Sequence, residues 1–240
     1  MTALQQLLLL ASVSYFLGSI PFGLLVGLSK GIDPRKAGSG NIGATNVARL
    51  LGGKYFAVVF SLDLLKSLLP MLAGAYILHR AHYHLSLHNN QLDSKLLLSW
   101  LLIGFSSILG HVFPIYLRFK GGKGVATSAG LILGLWPYYT LPALIALTIF
   151  LIVFFIWRYV SLASISAALS FPLAYLIAAI IFRWPLTHQQ LPLLIFAILV
   201  ALMIVYKHRS NISRLRAGTE QPIKRRAPST TGGGSLDVGR

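Results

Sequence analysis

Three clusters in this chain combine glycine, neutral hydrogen-bonding side chains and a few positive charges, the residue types that hold phosphate groups. The first is GSGNIGATNVAR, residues 38–49. Gly38, Gly40 and Gly43 let the backbone bend and approach a ligand closely. Ser39, Asn41, Thr45 and Asn46 offer uncharged hydrogen bonds, and Arg49 offers a rigid fork matched to phosphate. The same residues could instead cap a helix, and the two readings are compatible because a helix N-terminus is itself an anion site. The second cluster is KGGKGVAT, residues 120–127. Backbone amides at Gly121, Gly122 and Gly124 could face an anion without side-chain obstruction, and Lys123 could neutralise it. The spacing is not that of the nucleotide-binding loop G-x-x-x-x-G-K-[ST]. The third cluster is HRSNISRLRAGTE, residues 208–220. His208 could move a proton near neutral pH, and Asn211 is close enough in sequence to share its helix face. Glu220 is one of only five carboxylates.

The elements that position these clusters are membrane helices. Hydrophobic residues make up 55% of the chain and charged ones 11%, and the apolar residues come in long runs. The pattern predicts an all-α, polytopic membrane protein with about seven spans: Leu7–Leu28, Tyr55–Leu78, Leu96–Leu117, Gly124–Trp136, Tyr138–Trp157, Val160–Phe182 and Leu191–Tyr206. The first span lacks a basic leader and a small-residue cleavage site, which predicts a retained helix rather than a signal peptide. The fourth is the shortest, and a single re-entrant segment is the alternative there. Seven spans place 17 of the 21 Lys and Arg residues on one side, three on the other and Lys66 within a span. The positive-inside bias then puts the C-terminus and all three clusters in the cytoplasm. Residues 1–221 form the membrane domain, and residues 222–240, rich in Pro, Ser, Thr and Gly with Lys224, Arg225 and Arg226, read as a disordered basic tail.

Several classes are excluded. The net charge of +16 is accounted for by basic loops, and no basic patch with interleaved aromatics calls for nucleic acid. Without cysteine there is no disulfide, thiolate metal site or cysteine nucleophile. With Asp33, Asp63, Asp93, Asp237 and Glu220 as the only carboxylates, a carboxylate-rich magnesium site is not expected. His79, His82, His84 and His88 form a histidine-rich loop that reads as solvated rather than metal-binding. Tyr116 stands five residues after His111, so His111 does not form the H-x-x-x-x-D dyad of soluble-type glycerolipid acyltransferases. Asp63 and Lys66 lie inside the second span at i, i+3 spacing, where charge is costly and points to a role; an ion pair that orients helices is preferred over direct catalysis. His111 either packs or lines a site. An organic-phosphate transporter is the rival class, but it calls for inverted repeats and polar groups at mid-membrane.

GSGNIGATNVAR, GHVFPIYLRFKGGKGVAT and HRSNISRLRAGTE, in this order and spacing, resemble the three motifs of the bacterial acyl-phosphate:glycerol-3-phosphate acyltransferases (the PlsY family); RYVSLASI at 158–165 matches too. The resemblance runs from about Leu17 to Glu220. It implies an inner-membrane enzyme, with its site facing the cytoplasm, that moves an acyl chain from acyl phosphate to the sn-1 hydroxyl of glycerol 3-phosphate to give lysophosphatidic acid. Carried over by position, it implies catalytic roles for Ser39, Lys123, His208 and Asn211. It implies phosphate binding by Asn41, Thr45, Arg49, Gly121, Gly122 and Lys123. Acyl phosphate is already activated, so no metal, nucleotide or other cofactor is expected. Membrane lipid surrounds a chain expected to act as a monomer, with functional coupling to an enzyme that makes acyl phosphate. Either His208 or the donor's own phosphate could serve as the base.

Overall fold

The computed structural model describes residues 1–83, 94–184 and 190–223, and its regular elements are all helical among these. Helix α1 (Ala3–Ser19) opens with a reciprocal cap in which Thr2 Oγ1 accepts from the Gln5 amide and Gln5 Oε1 accepts from the Thr2 amide. The helical path breaks at Ile20 and Pro21 and resumes as α2 (Phe22–Leu28). A loop carrying the first cluster leads to the short α3 (Ala44–Leu51) and then to α4 (Gly53–Arg80). Helix α5 (Ser94–Val112) ends in a single 3-10 turn, Ile115–Leu117. Then come α6 (Val125–Gly134), α7 (Thr140–Trp157), α8 (Val160–Ile181), α9 (Gln190–Lys207) and α10 (Arg209–Arg216).

Among the described residues, six segments are long and apolar enough to cross a membrane: Ala3–Leu28, Gly53–Arg80, Ser94–Leu117, Thr140–Trp157, Val160–Ile181 and Gln190–Lys207. Each falls on an expected span, within a few residues. The expected fourth span is a discrete helix, but α6 has only ten residues. At the helical rise that is about 15 Å, half of a hydrocarbon core of about 30 Å. Of the histidine-rich loop, residues 84–93 lie outside the described residues; so does the tail from residue 224.

The principal packing falls into two sets. Helices α1, α4, α5 and α6 pack on one another, and α8 joins α7 and α9. Small residues permit the tightest crossings. A side chain at Gly18 would strike the Ser107 carbonyl, one at Gly110 the Tyr15 carbonyl, and one at Gly130 the Leu64 carbonyl. Helices in lipid lack a hydrophobic drive to associate, so such close backbone contact supplies much of the attraction. Helix α7 turns large side chains such as Leu144, Ile152 and Phe155 outward, consistent with a lipid-facing helix.

Candidate active site

The first cluster folds around Asn46, a buried side chain in the first turn of α3. Its Oδ1 accepts from the Ser39 amide at 2.8 Å. Its Nδ2 faces the carbonyls of Pro34 (3.0 Å), Ala37 (3.1 Å) and Asn41 (2.8 Å). One carboxamide thus satisfies the polar backbone of a whole loop. Asn41 Oδ1 accepts from the Gly43 amide at 2.8 Å, a local turn bond, so this acceptor is already engaged. Arg49, in the last turn of α3, donates from Nη2 to the Gln221 carbonyl at 2.7 Å, bridging residues 172 apart in sequence.

The second cluster departs from expectation in one respect. The amide of Gly121 donates to the Val112 carbonyl at 3.3 Å and that of Gly122 to the His111 carbonyl at 3.0 Å. Two of the three amides assigned to an anion therefore point back into the protein. These positions need glycine for steric reasons: a Cβ at Gly121 would meet the His111 carbonyl and Pro114, and one at Gly122 would meet the His111 ring. Gly124 has φ +86° and is the N-cap of α6. The Ser128 amide takes the Gly124 carbonyl, and the amides of Val125, Ala126 and Thr127 have no backbone acceptor among the described residues. The amides here that remain available to an anion are thus those of the first turn of α6.

The third cluster closes the site. His208 is the N-cap of α10 and Asn211 lies in that helix's first turn. Lys123 Nζ donates to Asn211 Oδ1 at 2.5 Å, and Asn211 Nδ2 donates to Glu220 Oε1 at 2.6 Å. Ser161 Oγ donates to Glu220 Oε1 at 2.8 Å and Arg214 Nε to Glu220 Oε2 at 2.7 Å. Burial alone would raise the Glu220 pKa, but these three donors outweigh it and hold the carboxyl below its ordinary value. Burial lowers the Lys123 pKa to about 8, with Glu220 opposing the shift. Burial, then the Lys123 charge, lowers the His208 pKa to about 4, so the imidazole is neutral at neutral pH. His208 Nδ1 lies 2.8 Å from the Ile204 carbonyl. A carbonyl cannot donate, so Nδ1 carries the proton and Nε2 is the acceptor.

Ser39, Asn41, Thr45, Arg49, Lys123, His208 and Asn211 all line one cavity of ≈ 630 Å³; Gly121 and Gly122 support it from behind. Away from this polar end the lining is apolar, with Leu133, Leu144, Leu147, Phe150 and Phe171 from α6, α7 and α8. The sequence did not assign roles to Glu220 or Ser161, and it offered Asn46 only as one of several uncharged hydrogen-bonding residues. Glu220 carried a signal as one of five carboxylates, and Ser161 lay inside the matching RYVSLASI stretch. Nothing in the sequence showed that Asn46 would be a hub. Asp63, Lys66 and His111 are all buried beside the cavity, and Asp63 and His111 line it.

Comparison with known proteins gives the family. Residues 8–218 match the profile of the family described as glycerol-3-phosphate acyltransferase. The chain is similar to the protein of that name from Geotalea daltonii, 43% identical over 212 residues, covering 88% of this chain and 95% of the relative. The one from Aquifex aeolicus is 40% identical over 218 residues, covering 90% and 98%. A crystal structure of PlsY, an integral membrane glycerol 3-phosphate acyltransferase in its glycerol 3-phosphate form, is 37% identical, with a TM-score of 0.73 over 91% of this chain and 96% of that one. The lysophosphatidic acid form of PlsY superposes with a TM-score of 0.70 at 36% identity. A helical membrane fold, three motifs gathered on one cavity and similarity along nearly the whole chain agree: this chain belongs to the glycerol-3-phosphate acyltransferase family.

Proposed function

We propose that the protein acylates glycerol 3-phosphate, taking the acyl chain from acyl phosphate and placing it on the sn-1 hydroxyl to give lysophosphatidic acid and phosphate. The observation that carries this reading is the cavity's two characters. One end holds Lys123, Arg49 and the open first turn of α6; the other is an apolar slot walled by lipid-facing helices. Lys123 and the α6 N-terminus suit the donor's phosphate, and Arg49 suits that of the acceptor. Ser39 and Asn211 supply polar groups beside the reacting carbonyl.

The acceptor hydroxyl attacks the acyl carbonyl carbon, a new C–O ester bond forms, and the bond from that carbon to the phosphate oxygen breaks. The hydroxyl proton must leave. His208 has a free acceptor in Nε2 but, at a pKa of about 4, is a weak base. A phosphate dianion, with its second pKa near about 6, is the better proton sink. His208 therefore orients the hydroxyl and the departing phosphate takes the proton. No metal, nucleotide or other cofactor enters this scheme. With α6 taken as a short fourth span, making seven, the protein is read as a bacterial inner membrane protein, and the positive-inside bias supports the site and the C-terminus in the cytoplasm. The scheme calls on no second copy of the chain.

The test is turnover by purified protein in lipid, given acyl phosphate and glycerol 3-phosphate with a chelator and no nucleotide. Lysophosphatidic acid and phosphate should appear in equal amounts. Strict dependence on magnesium, or use of acyl-CoA with no response to acyl phosphate, overturns the reading.

A further inference from the structure

The apolar slot of the cavity has a definite depth. On α8 its lining begins at Val160, beside the polar end, and stops at Phe171, eleven residues further on. On the neighbouring α9 it runs from His208 back to Ala197, again eleven residues. Each helix gives about 16 Å at the helical rise. The connection between α6 and α7 reaches the same level. It carries Tyr139, whose ring stands edge-on to Phe171 with centroids 5.0 Å apart, and the next residue, Thr140, lines the slot.

That meeting point forms a floor. Tyr139 is fully buried, donates its hydroxyl to the Leu193 carbonyl of α9 at 2.6 Å and stands edge-on to Tyr175 at 5.6 Å. Tyr175 packs in turn on Trp184, 5.7 Å away. Phe171 is itself buried, so it has packed rings behind it and no space into which to retreat. The walls are different. Leu133, Leu144 and Leu147 line the slot yet are more than half exposed at the lipid-facing surface, which leaves a hydrocarbon chain a sideways entrance from the bilayer.

Lipid tails are as apolar as the slot, so a chain that moves from one to the other gains almost nothing from each added methylene. Length is then discriminated by space alone. A chain that ends above the floor is accepted, and one that overruns it must displace a packed ring. We propose that Phe171, backed by Tyr139 and Tyr175, sets the upper limit on the length of the acyl chain transferred. The inference rests on the reading of this slot as the holder of the donor's chain, and it holds whichever cation takes which phosphate. A carbon–carbon bond of about 1.5 Å at the tetrahedral angle advances an extended chain by about 1.3 Å per carbon. The slot therefore takes about a dozen carbons straight and a few more when they bend.

The experiment measures kcat/KM in the lipid-reconstituted protein for a series of saturated acyl phosphates, from chains well short of the slot's depth to chains well beyond it. The wild type should show a level rate and then a drop of about tenfold or more once the chain overruns the floor. Phe171→Ala removes a ring roughly 4 Å deep and should move that drop about three carbons longer. Thr140→Phe builds a ring into the slot at the same level and should move it shorter by a similar amount. The KM for glycerol 3-phosphate should stay within about twofold in both variants. A wild-type rate that stays level to the longest chain overturns the proposal, as does a drop at the same length in all three proteins. So does a loss of rate that is uniform across the series, which is what a merely structural role for Phe171 gives. Where Phe171→Ala does not fold, the direction of the shift in Thr140→Phe decides alone. Wild-type protein with no turnover on any acyl phosphate would defeat the functional reading itself; an active wild type whose limit ignores both substitutions defeats only this inference.

Discussion

In the proposed reaction Lys123 is the residue on which most of the chemistry converges. Its ammonium is buried against Asn211, and removing it leaves a phosphate without its charge partner. Lys123→Ala should lower kcat/KM by about 100- to 1,000-fold, or about 3–4 kcal/mol of transition-state stabilisation, while the protein still folds. A near wild-type rate in a folded variant would remove it from the site. Because its pKa is lowered from 10.5 to about 8, the ammonium is lost as pH rises through that value. The kcat/KM for acyl phosphate should therefore fall above about pH 8. The kcat limb should lie at higher pH, because a bound phosphate raises the amine's pKa. The stability effect has the opposite sign: the folded state favours the neutral amine, so this group's contribution grows as pH climbs from about 8 towards 10.5. Arg49→Lys exchanges a bidentate fork for a point charge and should raise the KM for glycerol 3-phosphate more than that for acyl phosphate. A shift on the donor side instead would interchange the two phosphate sites. At this scale the sequence named the cavity-lining side chains well, because phosphate chemistry draws on few residue types. It could not show that the Gly121 and Gly122 amides turn inward, since that depends on where α5 ends and which carbonyls it leaves free.

The elements with the greatest influence on the site are the short ones. The segment after α10 carries Glu220 under the cluster, and the carboxylate gathers Ser161 from α8, Asn211 and Arg214. Replacing it with alanine leaves three donors without their acceptor, two of them buried. Glu220→Ala should cost about 2–4 kcal/mol of stability and should release Asn211 from its place beside Lys123. A lower melting temperature in detergent together with lost activity is the expected outcome; an unchanged melting temperature would show that the donors find other partners. The long helices were legible from hydropathy alone, since a run of about 20 apolar residues has few other uses. The break at Ile20–Pro21 was not, because a proline can sit within an apolar span without ending it. Nor was the Glu220 hub, because Ser161 is 59 residues away and only the packing of α8 brings them together.

At the level of the whole molecule, the unequal distribution of basic residues makes a test of topology direct. The native chain has no cysteine, so a single introduced thiol reports one position without background. Arg183→Cys and Lys120→Cys lie at exposed positions on opposite sides of the expected arrangement. In intact cells a membrane-impermeant maleimide should label Arg183→Cys, and Lys120→Cys only after permeabilisation. The reverse pattern would turn the molecule over in its membrane. The sequence predicts an orientation because that depends on composition, and the labelling tests it, whereas the cavity depends on how two sets of helices meet. The chain also returns on itself: Gln221 meets Arg49, and the Ile223 amide donates to the Arg158 carbonyl at 3.0 Å. Whoever attaches a fluorescent or affinity tag near this end must reckon with that. A bulky module joined directly after Ile223 would sit two residues from the contact with Arg49, a cavity-lining residue, so its inactivity would report crowding, and a long flexible spacer should restore turnover.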